Sequence, residues 1–559
     1  MLRRVASVLL LTAVFAAPAH AQGAELLPGV TYERTVEFTP HGAVVLHVLT
    51  APRPGGLTTL APVLARGSIV GGRARVTQME KDVSARTTVA GINGDLFAGA
   101  DAHPAGVYLS DGVLLHPPLS TRSSIGVDTD GGLHVERVKF FGTWKGTGQR
   151  RPLNGLNQQP AQGQVVLFTP GYGPRVPAIP GAAEVVLQPF PAALPNTDLT
   201  ATVTAVGANG GEPIPADGAI LQATGALAAK LQAEAPAGTP IATRLILQPS
   251  WTGVTNALGG GPVLVRKGKP VFRSLEDFTN DQVMARDPRA AVGQLADGRI
   301  VLVAVDGGQP GYSVGLTSFE LAQTLVRLGA VTAAGVGSGP AVTVAFDGTL
   351  LNRPLGGEQP VKEALLVQYA GVYASEVPVP LVNGDPGRTS EPLSYKIVRP
   401  SLVTAQLVAP DGTTRPLETN VQHEAGSYAF TFSSFDAEGA WHWNVSAKDD
   451  LGRVSTIDRA FRYDTTLRSL AVPPARGTAT VRFTLARAAK VRLRVETTNG
   501  VVVRDLPPVA LDAGARSIVW DGRLPLGTRA FGATYVAHVF AASAVGTSEL
   551  SVQFPFRRG

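Results

Sequence analysis

Short alternating apolar runs, broken repeatedly by Asp-Gly and Gly-rich turns, constrain this chain more than any other feature. GVYLSDGVLL (106–115) turns at Asp111-Gly112, and SSIGVDTDGGLHVERVKF (123–140) turns at Asp130-Gly131-Gly132. RDPRAAVGQLADGRIVLVAVDGG (286–308) turns at Asp297-Gly298. Asp-Gly between alternating residues signals a hairpin, because both residues tolerate the positive φ that a two-residue turn requires. The 63 glycines and 43 prolines among 559 residues favour many short strands over long helices. Hydrophobic residues at 44% allow large cores, and the length suits roughly three or four domains.

The N-terminal MLRRVASVLLLTAVFAAPAHAQG places Arg3 and Arg4 before an apolar run from Val5 to Ala17, then Ala19-His20-Ala21. This is the pattern of a secretory signal peptide over 1–21, cleaved after Ala21. A secreted or cell-envelope location in a bacterium is therefore expected. No later window holds 18 unbroken apolar residues, so no membrane span is expected. The absence of cysteine excludes disulfides, thiolate catalysis and zinc–cysteine sites. The net charge of +6 is spread thinly. A nucleic-acid partner needs a clustered basic patch with stacking aromatics, and none is visible.

The expected organisation follows the pattern changes. After the leader, 22–80 reads as a strand-rich region and 81–372 as a domain of hairpins with a few helices. A polar, Pro-rich linker spans 373–395, followed by immunoglobulin-like sandwiches over 396–465 and 466–559. Trp441 and Trp443 share one face of a strand in the first sandwich. Two helices stand out. ALAAKLQAEAP (226–236) is one, and TSFELAQTLVRLGA (317–330) is the clearer. In the latter Thr317 and Glu320 fit a capping box, Leu321, Leu325 and Leu328 share a face, and Gly329 ends the helix.

GYSVG (311–315) fits the serine-hydrolase pattern G-x-S-x-G. The elbow requires the serine directly after a strand, yet Ser313 follows the strand end near Val305 by eight residues. Only His423, His442 and His538 come later, all in the sandwich region, so a Ser-His-Asp triad is not expected. The histidines are scattered without metal-ligand spacing, and no cofactor or metal site is expected. Asp95 and Asp306 end apolar strands beside Gly-rich loops, where an acid can meet a ligand closely. Turn chemistry is the competing reading, and it is preferred for Asp111, Asp130 and Asp297. An arginine beside such acids, such as Arg289 or Arg353, could hold a phosphate bidentately.

Seven stretches together resemble the phosphodiester glycosidase family. They are GINGDLF (91–97), YLSDGVLL (108–115), RSSIGVD (122–128), LGGGPVLVRKGK (258–269), RDPRAAVG (286–293), GRIVLVAVDGGQPGYSVGLTSFELAQTLVRLGAV (298–331) and LLNRPLGGEQPVKEALLV (350–367). The resemblance implies a mixed α/β fold and cleavage between an anomeric carbon and a phosphodiester oxygen of a carbohydrate. It implies an exported enzyme acting on sugar-1-phosphodiesters of envelope or extracellular glycans. Asp306 would be the catalytic acid, with Asn93, Arg289, Ser313, Asn352, Arg353, Gly259 and Gly260 around the substrate; Asp95, in NGDLF where many relatives have NGGFF, is an added acid in the same pocket and the second catalytic candidate. The sequence departs from the family in AAGVGSGPAVTV (333–344), where Gly337 stands for the usual acid and Ala341 for the usual serine. That departure leaves a second expectation open: a glycan-binding surface protein with impaired catalysis. FTLARAAKVRLRV (483–495) and VWDGR (519–523) resemble the immunoglobulin-like domain of flagellar-hook capping proteins. This implies a module that contacts a cell-surface polymer or protein.

Overall fold

The computed structural model describes residues 23–99, 102–208, 210–377, 391–433, 437–498, 500–524 and 527–559. The leader at 1–21 and most of the expected linker lie outside these. Strands make up 52% of the described residues and helices 7%. Among the described residues there are four α-helices: α1 (Val76–Val83), α2 (Ala226–Glu234), α3 (Asn280–Met284) and α4 (Ser318–Arg327). The expected α/β (α+β) domain is therefore corrected to a nearly all-β one. The reason lies in the turns. Antiparallel neighbours need only tight connections, whereas parallel neighbours need a long crossover, commonly a helix. The Asp-Gly hairpins at 111–112 and 297–298 both formed, with Asp111 and Gly112 at φ +49 and +79.

One eight-stranded sheet positions the site. Its order is Ala24–Leu27, Val30–Thr39, Gly42–Ala51, Ile300–Val305, Arg289–Leu295, Ala330–Gly335, Val263–Arg266 and Lys269–Pro270, with antiparallel neighbours throughout. Helix α4 connects Ile300–Val305 to Ala330–Gly335 across the intervening Arg289–Leu295 strand. Leu321, Ala322 and Leu325 of α4 pack on Val44, Leu46, Val303 and Val305.

The predicted capping box is present. Thr317 Oγ1 accepts the Glu320 N–H at 3.2 Å, and Glu320 Oε2 accepts the Thr317 N–H at 2.9 Å. Arg286 pairs with the same Glu320 carboxylate, and the box satisfies the Thr317 and Glu320 N–H groups at this helix start. Thr317→Ala should lower stability by about 1 kcal/mol, read as a shifted urea midpoint at unchanged slope.

Glu80 of α1 is fully buried, with Oε2 accepting the Gly348 N–H at 2.7 Å. Burial raises its carboxyl from 4.5 to about 9, against that hydrogen bond. The unfolded chain releases this proton near its ordinary value while the folded chain keeps it. Stability should therefore fall as pH rises from about 4.5 to about 9. Glu80→Gln should flatten that decline, which thermal melts at pH 5 and pH 8 would test.

The chain divides into two compact units. One comprises residues up to Lys81 with Val89–Val367, and the other Asp82–Thr88 with Gln368–Gly559. The second unit holds two sandwiches. The first packs a sheet containing Glu391–Ile397 and Gly426–Phe432 on one containing Ser401–Val408, Gly439–Asp449 and Val454–Tyr463. Trp441 and Trp443 both sit in its core. The second packs a three-stranded sheet on a six-stranded one around Trp520, Tyr535, Phe554 and Phe556.

Candidate functional site

Strand register gathers the first cluster. Across three neighbouring strands Arg34, His47 and Ala304 are aligned, and Asp306 lies two residues beyond Ala304. Side chains two apart share a face, so Tyr32, Arg34, His47 and Asp306 come to one side of the sheet. Helix α4 covers the other side.

Asp306 is 1% exposed and carries four donors. His47 Nε2 lies 3.0 Å from Oδ2, the Tyr312 hydroxyl donates to Oδ2 at 2.9 Å, and the Arg353 N–H at 3.2 Å. Asn352 Nδ2 donates to Oδ1 at 2.9 Å. Burial alone would raise this carboxyl, but His47, Asn352 and Tyr312 together hold it below the usual range. It is thus an anion at neutral pH. An anionic carboxylate only accepts, so His47 carries a proton on Nε2; its Nδ1 lies 2.8 Å from the Tyr32 hydroxyl, which also donates to the Leu351 carbonyl at 3.2 Å. Tyr32 retains its proton, being pushed up to about 12 mainly by burial.

Tyr312 is the half-buried outer member of the group. The exposed Arg353 guanidinium lies 4.8 Å over its ring, and exposed Arg34 sits beside its hydroxyl. Burial and the Asp306 charge raise the Tyr312 phenol, so it too keeps its proton. Ser313 is buried beneath. Its Oγ accepts the Val45 N–H at 3.0 Å and donates to the Asp306 main-chain carbonyl, fixing the loop that carries Asp306.

Asp95 joins a different cluster. Its Oδ1 takes Arg122 Nη2 at 2.6 Å, and its N–H donates to Glu363 Oε1 at 3.2 Å. Burial raises both carboxyls. Arg122 opposes the rise at Asp95, while the Asp95 charge adds to it at Glu363. Asp95 Oδ2, Glu363 Oε2 and Arg122 Nε are buried without a hydrogen-bond partner. Gly259 makes room for this carboxylate, since a Cβ there would lie 2.3 Å from Asp95 Oδ2. The Gly260 carbonyl accepts Arg122 Nη2 at 3.2 Å. Asn93 pins the neighbouring loop, donating to the Gly337 carbonyl at 2.9 Å and accepting the Thr343 N–H at 3.1 Å.

Arg289 stands in neither cluster. It is aligned with Val305, which places it on the α4 side, opposite Asp306. Its guanidinium donates to the carbonyls of Leu316 at 3.0 Å, Gln282 at 2.5 Å and Ala285 at 2.7 Å, closing the end of α3. A phosphate beside Asp306 is out of its reach, because the sheet lies between.

Gly337 fits against the Asn93 loop. A Cβ there would come 2.8 Å from the Gly94 carbonyl oxygen and 3.0 Å from Asn93 Nδ2, so the backbone leaves no space for the acid. Beside it, a cavity of about 20 Å³ lies between Leu96, Arg289, Val336 and Ser338, and no carboxylate lines it. That is about the size of one water, far below the roughly 300 Å³ of a ligand pocket.

Sequence reasoning missed Tyr32, Arg34, His47, Arg122 and Glu363. The one signal for His47 was a histidine inside the apolar run GAVVLHVLTA; the others look like ordinary strand residues.

The phosphodiester glycosidase family profile matches residues 196–368. That stretch is what the chain shares with the phosphodiester glycosidase family. It holds Asp306, Tyr312, Asn352 and Arg353, while Asn93 and Asp95 lie before it. The chain is 29% identical over 118 residues to the SPbeta prophage-derived uncharacterized protein YomE of Bacillus subtilis, covering 21% of this chain and 18% of that one. It is also similar to a hypothetical protein from Synechocystis, with 25% identity and a TM-score of 0.51, over 61% of this chain and 62% of that one. The chain thus spans under a fifth of the curated relative and under two thirds of the solved one. A zebrafish N-acetylglucosamine-1-phosphodiester alpha-N-acetylglucosaminidase catalytic domain aligns at 14% identity over 62% of this chain and 86% of that one. Its TM-score of 0.34 is too low to carry weight. Among the described residues no group of three or more metal-ligating side chains converges, and no helix is long and apolar enough to cross a membrane.

Proposed function

We propose that this glycosidase-family domain hydrolyses sugar-1-phosphodiesters of extracytoplasmic glycans at the Asp306 cluster. The observation that carries the reading is an ionised, buried Asp306 whose outer neighbour Tyr312 is flanked by Arg34 and Arg353. The two guanidinium groups suit an anionic phosphodiester and stabilise the charge that grows on the departing phosphate. Water attacks the anomeric carbon as its bond to the phosphate oxygen breaks, through an oxocarbenium-like transition state. The water proton passes to the Tyr312 hydroxyl as that hydroxyl's own proton passes to Asp306. The products are the free sugar and the phosphomonoester. His47, held by Tyr32, keeps Asp306 oriented and charged. Asp95 is assigned to the Arg122 ion pair, a structural role. The leader pattern at 1–21 supports an exported site of action.

The second reading, a glycan-binding protein with impaired catalysis, has one observation in its favour. The cavity beside Gly337 is water-sized and lacks a carboxylate. Purified protein incubated with UDP-N-acetylglucosamine and with synthetic sugar-1-phosphodiesters separates the two. Released sugar supports hydrolysis. Saturable binding to an anionic polysaccharide with no release across the panel supports the second.

A further inference from the structure

Three large apolar side chains stand in solvent within one short segment: Phe272 is 61% exposed, Leu275 84% and Met284 55%. Together with Phe278 and Phe319 they wall a cleft of about 590 Å³ beside the N-terminal end of α4. Phe272 and Phe319 meet edge to face, with ring centroids 5.1 Å apart. The volume falls within the roughly 300–1,000 Å³ of small-molecule sites. Leu275 adopts φ +56, a left-handed conformation that bulky side chains rarely take. Arg137 holds it there by donating to the Ser274 and Leu275 carbonyls. Strain of this kind persists where neighbours impose it and gathers at ligand sites.

The charges at the cleft are unequal. Glu276 is spent on the chain: its two oxygens accept the Ser123 and Val263 N–H groups, each at 2.7 Å. Arg273 is exposed at the rim and, among the described residues, forms no ion pair. An apolar trough with an unpaired arginine at its rim suits an aliphatic chain ending in an anion. We propose that this cleft binds a single-chain amphiphile with an anionic head, the chain along Phe272, Leu275, Met284 and Phe319 and the head at Arg273. The cleft lies on the α4 side of the sheet, so this site stands independently of turnover at Asp306.

Calorimetric titration of the full-length protein with octyl, decyl and dodecyl phosphate, each below its micelle concentration, tests the proposal. Affinity should rise roughly three- to fourfold per added methylene until the cleft is full. Phe272→Asp and Met284→Lys should each weaken decyl phosphate at least tenfold, with phosphodiester turnover unchanged. Both positions are exposed, so circular dichroism and melting should match the parent. Decanol should bind more weakly than decyl phosphate, and Arg273→Glu should erase that preference. Decanoate in parallel tells a carboxylate head from a phosphate. Absence of saturable binding, affinity independent of chain length, or full affinity in both Phe272→Asp and Met284→Lys overturns the site. An unchanged preference in Arg273→Glu overturns the anionic head.

Discussion

Asp306→Asn should lower sugar-1-phosphodiester turnover by roughly 10²- to 10⁴-fold, the usual scale for a positioned proton acceptor. The amide fills the same volume and keeps Oδ1 as an acceptor for Asn352, but it cannot take a proton and presents a donor toward His47 Nε2. The fold should survive, since Ser313 holds the loop through main-chain atoms that the substitution leaves in place. Tyr312→Phe should cost a comparable factor if the proton passes through its hydroxyl. Arg34→Gln and Arg353→Gln should act more gently and chiefly on KM, because they contact the phosphate in ground and transition states alike. Because Asp306 is held below the usual carboxylate range, the acid limb of kcat/KM should fall below that range as well. Parent-like turnover in Asp306→Asn would remove the residue from the mechanism.

Arg122→Met should destabilise the first unit by about 3–5 kcal/mol, the scale for removing one partner of a buried ion pair. Arg122 and Asp95 are both buried, with a 2.6 Å contact, and Glu363 lies against the Asp95 main chain. Without the guanidinium, the buried Asp95 carboxylate loses its ion-pair partner while the Glu363 carboxyl stays beside it. Asp95→Asn in the Arg122→Met background should recover most of the loss, because the amide needs no countercharge. A urea midpoint that falls in the single variant and returns in the double would establish the pair as structural. If the double variant is no more stable, the cost comes from lost packing on Phe278, over which Arg122 sits at 4.6 Å. A catalytic Asp95 would instead show as lost turnover in Asp95→Asn alone, at parent stability.

Much of the local structure was legible because its causes are local. The capping box at Thr317 depends on residues three apart, and Asp-Gly turns depend on the φ that two adjacent residues tolerate. Asp306 was legible for the same reason: an acid at the end of an apolar strand, beside glycines. The fold class was not. The family resemblance implied a mixed α/β fold, yet the pairing of Gly42–Ala51 with Ile300–Val305 joins segments some 250 residues apart, and no periodicity encodes it.

The sequence by itself determined the strand-and-turn content, the helix caps, the cysteine-free chemistry and the acids at strand ends. Only the tertiary structure decided what each of those acids faces. Register brought His47, Tyr32 and Arg34 to the Asp306 side of one sheet and sent Arg289 to the other. The same packing buried Asp95 against Arg122, beneath glycines that make room for it. A carboxyl's charge depends on burial and on donors within hydrogen-bond reach, and for these residues the donors come from distant segments of the chain.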